Sequence, residues 1–162
     1  MFFDREAEPG QHRPLLAFLI ATWLVGAAGT LVTEPDIPTW YAALAKPGFT
    51  PPDWLFAPVW TTLYVMMAVA AWRVWRLTGL NSPEMFLWIA QLALNFFWSA
   101  LFFSLHLILP ALAEMALLWL LITVILILFW RRDRIAGLLF LPYLAWVSFA
   151  LALNFAIWQL NS

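Results

Sequence analysis

The sequence predicts an all-α membrane protein, a bundle of five transmembrane helices with a long structured loop between the first two. Three observations carry that expectation. The 162 residues are 65% hydrophobic and only 10% charged, whereas soluble domains carry roughly 25% charged residues. The apolar residues gather into five blocks, each near the ~20 residues that span about 30 Å of hydrocarbon. Polar residues do not alternate within the blocks, so the backbone must satisfy itself as helix and not as barrel strand.

Taken in order, residues 1–13 mix charges (Asp4, Arg5, Glu6, Glu8, Arg13) and read as a short polar tail before one transmembrane domain over 14–160. The first helix is expected at 14–32. Val25-Gly26-Ala27 loosely resembles a cleavage site, but an acid-rich leader and a long block argue against a signal peptide. Thr22, Gly26 and Thr30 form a small-residue stripe on this helix, and Ala90, Ala93 and Ala100 lighten the third. Either allows close helix approach, within a chain or between chains. The second helix is expected at 53–75. Thr50-Pro51-Pro52-Asp53 supplies a cap, a proline at the first helical position and an early acid, and Thr78-Gly79 offers a left-handed glycine stop. The third is expected at 84–105, opened by Asn81-Ser82-Pro83-Glu84. Only Leu105-His106-Leu107 separates it from the fourth, at 107–130, which predicts a tight antiparallel hairpin. The fifth is expected at 135–159.

The connection over 33–52 is the longest and holds Pro35, Pro38, Trp40, Tyr41, Lys46, Pro47, Phe49, Pro51 and Pro52. So many aromatics predict a lid folded over the bundle, because long structured loops are often functional. With five spans, Arg5, Arg13, Arg73, Arg76, Arg131, Arg132 and Arg134 share one side, and Lys46 stands on the other. The positive-inside rule then predicts a cytoplasmic N-terminus, with the lid and the C-terminus outside. Long helices with this bias predict the cytoplasmic (inner) membrane, since outer-membrane spans are normally barrels.

Several function classes fall away. A net charge of −1 leaves no electrostatic footprint for nucleic acid. The absence of cysteine excludes disulfides, thiol catalysis and thiolate metal sites. His12 and His106 are too far apart to form a metal pair on one helix, and read as two interfacial residues. No nucleophile–base pair or phosphate loop is evident, so no catalytic residue is predicted.

What remains is aromatic and amide chemistry. The chain has 12 tryptophans, several of them in mid-span, where an interfacial belt does not account for them. Gln91, Asn95, Trp98 and Phe102 recur at helical spacing on the third helix, with Ser99 beside them. An amide in hydrocarbon is costly without partners, so these groups serve either as interhelical glue or as the lining of a polar cavity. Trp60, Tyr64, Met67 and Ala71 make a stripe on the second helix. Trp146, Phe149, Ala150 and Leu153 make one on the fifth, with Tyr143 and Asn154 at its ends. Each stripe alone reads as core. Three together beneath an aromatic lid suggest a pocket for a flat hydrophobic ligand, with Asn95 orienting its polar edge. Glu114 lies about 9 Å into the fourth helix. It reads either as a functional intramembrane acid or as a residue near the outer interface.

Three segments resemble the TspO family, the tryptophan-rich sensory proteins related to the translocator protein or peripheral benzodiazepine receptor. They are Trp40-Tyr41 through Lys46-Pro47, Phe49 and Pro51-Pro52 to Trp60-Thr61; Gln91 through Asn95, Trp98-Ser99 and Phe102-Phe103; and Leu141-Pro142-Tyr143 through Trp146 to Leu153-Asn154. The resemblance covers about residues 14–160 and points to a bacterial member. It implies a homodimer in the lipid bilayer, with no obligatory cofactor. It also implies a pocket under the first loop for porphyrins such as protoporphyrin IX and haem, and for benzodiazepine-type drugs. Carried over by motif, that pocket would use Trp40, Tyr41, Trp60, Tyr64, Asn95, Ser99, Trp146 and Ala150, with Trp98, Phe102 and Met115 in its walls. Glu114 falls where many relatives carry an aspartate. Sterol-binding relatives carry a tyrosine and then a base near the end of the fifth helix. Here Phe155 and Gln159 stand instead, which speaks against cholesterol binding.

The functions implied are a tetrapyrrole translocator or sensor, a light-dependent porphyrin-degrading enzyme, and a signalling subunit modulated by porphyrin.

Overall fold

The structure, a computed structural model, describes residues 12–162, with side chains from Pro14 onward. Most of the tail expected over 1–13, and the side chain of His12, therefore lie outside the described residues. Five helices long and apolar enough to cross a membrane follow in order: α1 (His12–Thr33), α2 (Phe56–Thr78), α3 (Pro83–Ser99), α4 (Ile108–Arg132) and α5 (Arg134–Asn161). α4 and α5 lie together along most of their length, α1 rests on α2 and α3, and α2 also meets α5.

Local chemistry explains the boundaries. Ser82 caps α3 by accepting from the Met85 N–H at 3.4 Å, and Pro83 follows it. A proline at that place loses no helical bond, because the first N–H groups of a helix have no partner in any case. Gly79 stops α2 with φ +76°, its N–H donating to the Trp75 carbonyl at 2.8 Å. Asp133 joins α4 to α5, accepting from the N–H groups of Ile135 and Ala136 at 2.8 and 3.2 Å.

Two expectations about local structure need correction. Thr50 does not cap α2; its hydroxyl donates to the Pro47 carbonyl at 2.8 Å and closes a turn inside the loop. The segment after α1 is not all loop. It continues as a 3-10 turn (Glu34–Asp36) and a π-helix (Ile37–Tyr41). Pro35 and Pro38 each sit in the opening positions of those turns, where a missing N–H costs nothing. The extended connection proper is thus shorter than 33–52. A second π-helix, Ala100–Ser104, ends α3.

The main core joins all five helices and includes Phe18, Met67, Trp88, Ile122, Phe129, Phe140 and Tyr143. A second, smaller core contains Tyr41, Phe102, Phe103, Ala111, Leu153 and Ile157. It is the seat on which the lid segment rests. The helix stripe at Gly26 is used within the chain, because a Cβ there would lie 2.7 Å from the Tyr64 ring of α2. Thr30 on the same stripe is exposed. At the end of the bundle away from the lid, Arg73 meets Asp133 at 2.8 Å and Arg132 meets Glu84 at 2.7 Å. These pairs tie α2 to the α4–α5 turn and α4 to the start of α3.

Candidate functional site

Polar groups from three helices meet inside the bundle. The Tyr64 hydroxyl donates to Asn95 Oδ1 at 2.8 Å, Asn95 Nδ2 donates to the Tyr143 hydroxyl at 3.2 Å, and Tyr143 donates to Gln91 Oε1 at 2.9 Å. Gln91, Asn95 and Tyr143 are buried. Gln91 and Asn95 sit one turn apart on α3, which aims both amides at the same neighbours. A relay of this kind stabilises the bundle only when its members find partners, since the low dielectric that strengthens each bond also penalises each orphan. Gln91 Nε2 and the indole N–H groups of Trp72, Trp88 and Trp98 are buried donors left over, and both oxygens of Glu114 are buried acceptors left over.

Around the relay, Trp60 lies 5.5 Å from the Tyr64 ring and 6.3 Å from that of Tyr143, centroid to centroid. Trp98 stacks on Phe102 at 5.4 Å, and Trp40 meets Phe102 edge-on at 5.3 Å. Tyr41 meets Phe102 at 6.3 Å, with the Lys46 ammonium 4.5 Å from its ring centroid. Met115 is buried in the main core, and Ala150 packs against it. Ser99 faces another way, towards α1, with its hydroxyl 3.7 Å from where a Gly29 Cβ would stand. The sequence-derived set thus falls into a relay with its rings (Trp60, Tyr64, Asn95), a lid cluster (Trp40, Tyr41, Trp98, Phe102), and Met115, Ser99 and Ala150 in separate packing contacts.

A groove of about 720 Å³ runs between α2 and α5 below the 3-10 turn Asp53–Leu55. Its walls include Trp54, Pro58, Thr62, Met66, Pro142, Trp146 and Phe149. Of the residues named from the sequence as pocket-forming, Trp146 and Phe149 line it. Trp54, Pro58 and Thr62 recur every four residues, as do Pro142 and Trp146, so a helical-spacing signal was present. Pro142 interrupts the bonding of α5 from within, because its ring nitrogen carries no N–H for the carbonyl one turn earlier. Trp146 is held in place by Phe56 at 5.7 Å and Phe149 at 5.6 Å. Trp54, Pro58, Thr62, Pro142 and Ala145 are exposed on membrane-length helices, so the groove opens sideways.

The same segments carry the likeness to known proteins. A family model described as the TspO/MBR family matches residues 17–159. The chain belongs to the TspO/MBR family. The tryptophan-rich protein TspO of Chlorobaculum tepidum is 44% identical over 85% of this chain and 89% of its own length. The tryptophan-rich protein TspO of Archaeoglobus fulgidus is 40% identical, with 91% and 97% covered. The translocator protein of Bos taurus is 35% identical, with 91% and 90% covered. This TspO/MBR family protein is therefore a multi-pass membrane protein, and the family match takes in α2–α4 whole and most of α1 and α5.

Proposed function

We propose that this protein binds flat tetrapyrroles, protoporphyrin IX or haem, within the membrane and acts as their translocator or sensor, with benzodiazepine-type ligands accepted at the same place. The observation that carries the reading is the groove of about 720 Å³ with Trp54, Trp146 and Phe149 in its walls. Small-molecule sites are typically ~300–1,000 Å³, mostly apolar, with few polar groups. An apolar macrocycle that has partitioned into the bilayer reaches a sideways opening without crossing water. Its ring stacks on indole, and its polar edge meets the Thr62 hydroxyl in the groove wall. The names of its relatives, tryptophan-rich and translocator proteins, agree with a membrane role of this type.

We place the protein in the cytoplasmic membrane as a homodimer, with the arginine-rich end inside and the lid outside. Arg73, Arg76, Arg131, Arg132 and Arg134 stand at one end of the bundle and Lys46 at the other, which supports this orientation.

Quenching of tryptophan fluorescence by protoporphyrin IX in detergent tests the binding. Trp146→Ala is expected to weaken it about tenfold, equivalent to ~1.4 kcal/mol. Leu24→Ala, on the exposed face of α1, is expected to leave it unchanged. Equal affinity in wild type, Trp146→Ala and Trp54→Ala would remove the groove from consideration. Flux of porphyrin into sealed vesicles then separates translocator from sensor.

A further inference from the structure

We propose that His106 positions Trp40 and, through Asp36, acts as a proton-sensitive latch that holds the lid segment closed over the bundle. His106 forms the turn between the π-helical end of α3 and the start of α4. Its Nε2 lies 3.2 Å from Asp36 Oδ1, on the 3-10 turn beyond α1. Its ring lies flat on the Trp40 indole, 4.2 Å between centroids and 16° between planes. One side chain thus grips two points of the lid, and Trp40 in turn touches Phe102 of the small core.

The backbone at this place is unusual. His106 has φ +54°, the one positive φ outside glycine among the described residues. Left-handed backbone is costly for most side chains and less so for Asn, Asp and His. The turn is closed by the Leu105 N–H on the Ala100 carbonyl at 3.0 Å and the Leu107 N–H on the Leu101 carbonyl at 2.9 Å. A strained turn whose side chain makes an ion pair and a stack is a natural place for a two-state element.

The chemistry supplies the switch. Imidazole is the side chain whose ordinary titration lies between pH 5 and 8. Among the described residues, Asp36 is the one charged group paired with the ring. Trp40 against its face and Leu105 and Leu107 beside it are uncharged. The other charged groups on the lid are Glu34, Lys46 and Asp53, and Lys46 is engaged over the Tyr41 ring. Protonation converts a neutral hydrogen bond into an imidazolium–carboxylate pair, so the latch is tighter on the acid side. A second fastening does not titrate. Asn161, at the tip of α5, accepts from the Ala45 N–H at 3.0 Å and donates to the Ala45 carbonyl at 2.9 Å. The lid is therefore pinned at two places, near its start by His106 and at Ala45 by Asn161, and of the two only the His106 contact contains an imidazole.

The lid itself is read by hydrogen exchange of amides 37–50 at pH 5.5 and pH 8, corrected for intrinsic rates. Two variants are compared with wild type. Asp36→Asn removes the charge and keeps the stack. His106→Asn removes the imidazole and keeps a residue that accepts left-handed φ. Wild type is expected to lose protection in this segment about two- to fivefold at pH 8, the factor that an exposed pair supplies. His106→Asn should be pH-independent, Asp36→Asn should respond less than wild type because only the stack on Trp40 remains, and the double variant should be no looser than His106→Asn. Equal pH response in wild type and Asp36→Asn overturns the latch. The consequence for ligand rests on the porphyrin reading above. Because Phe49 of the lid packs on Phe149 in the groove wall, 6.2 Å between centroids, protoporphyrin IX should leave wild type two- to fivefold faster at pH 8, relative to Asp36→Asn at each pH, which cancels the titration of the porphyrin itself. A lid that responds to pH in a protein that binds no porphyrin would sink the ligand reading and leave the latch standing.

Discussion

Gly137 stands one turn into α5, where a Cβ would lie 2.8 Å from the Cα of Trp130 and 2.7 Å from its ring. Backbone cannot yield as a flexible side chain does, so Gly137→Ala is expected to cost about 1–3 kcal/mol. Gly48, with nothing within 4 Å of its Cβ position, should accept alanine within about 0.5 kcal/mol. Thermal unfolding of the two variants in detergent gives the comparison, and equal midpoints would refute the argument. Asp133 makes a different prediction. Burial alone would raise its carboxyl, but the Arg73 guanidinium and the N–H groups of Ala136 and Ile135 outweigh it and hold the carboxyl below the usual carboxylate range. Its stabilisation is therefore complete above the unfolded carboxylate value, about pH 4, and is lost as pH falls through the lowered value of the folded state. Asp133→Asn should be less stable than wild type at pH 7, with the gap closing in acid. A gap that stays constant down to pH 3 would contradict the assignment.

At the scale of elements, the relay is what α2, α3 and α5 share. Tyr143→Phe leaves Gln91 Oε1 without its donor and Asn95 Nδ2 without its acceptor. Two buried orphans should cost about 2–4 kcal/mol, against ~1–2 for Tyr64→Phe, which strands one oxygen of Asn95. The double variant should fall short of the sum, because both hydroxyls act through Asn95. Strict additivity in a thermal-unfolding cycle would mean that the relay is not one network. The third-helix amides were legible from the sequence as a face one turn apart, and so was the fifth-helix tyrosine. That they bond to one another and not to an open cavity was not legible, because spacing along a helix gives a direction and says nothing about what stands opposite. The proline-rich stretch after the first helix looked like loop for a related reason. Proline forbids a bond in the middle of a helix, yet at the first positions of the turns Glu34–Asp36 and Ile37–Tyr41 it forbids nothing.

For the whole molecule, the absence of cysteine turns orientation into a direct measurement. Single cysteines at Gly48 and Leu80 both lie on exposed loop positions, at opposite ends of the bundle. With the lid outside, a membrane-impermeant maleimide should label Gly48→Cys in spheroplasts and reach Leu80→Cys only after lysis. The reverse pattern would invert the proposed orientation. The two ends also differ in how they are held. The arginine-rich end carries ion pairs between helices, and the lid end carries aromatic stacks, one histidine and one asparagine clip.

Composition, block length and the lack of polar alternation determined that this chain is a bundle of five membrane-spanning helices, since hydrocarbon allows only helices and closed barrels to satisfy their backbone, and barrel strands alternate. Capping residues such as Ser82 and Gly79 were equally readable, because those effects act within one turn. Tertiary structure decided the rest. It turned Tyr64, Asn95 and Tyr143 into a relay, sent Ser99 towards α1, set Trp54 and Pro58 beside Trp146 as one groove, and gave His106 both Asp36 and Trp40. Each of those contacts joins residues that are distant in sequence, and only the packing of one helix against another decides which faces meet.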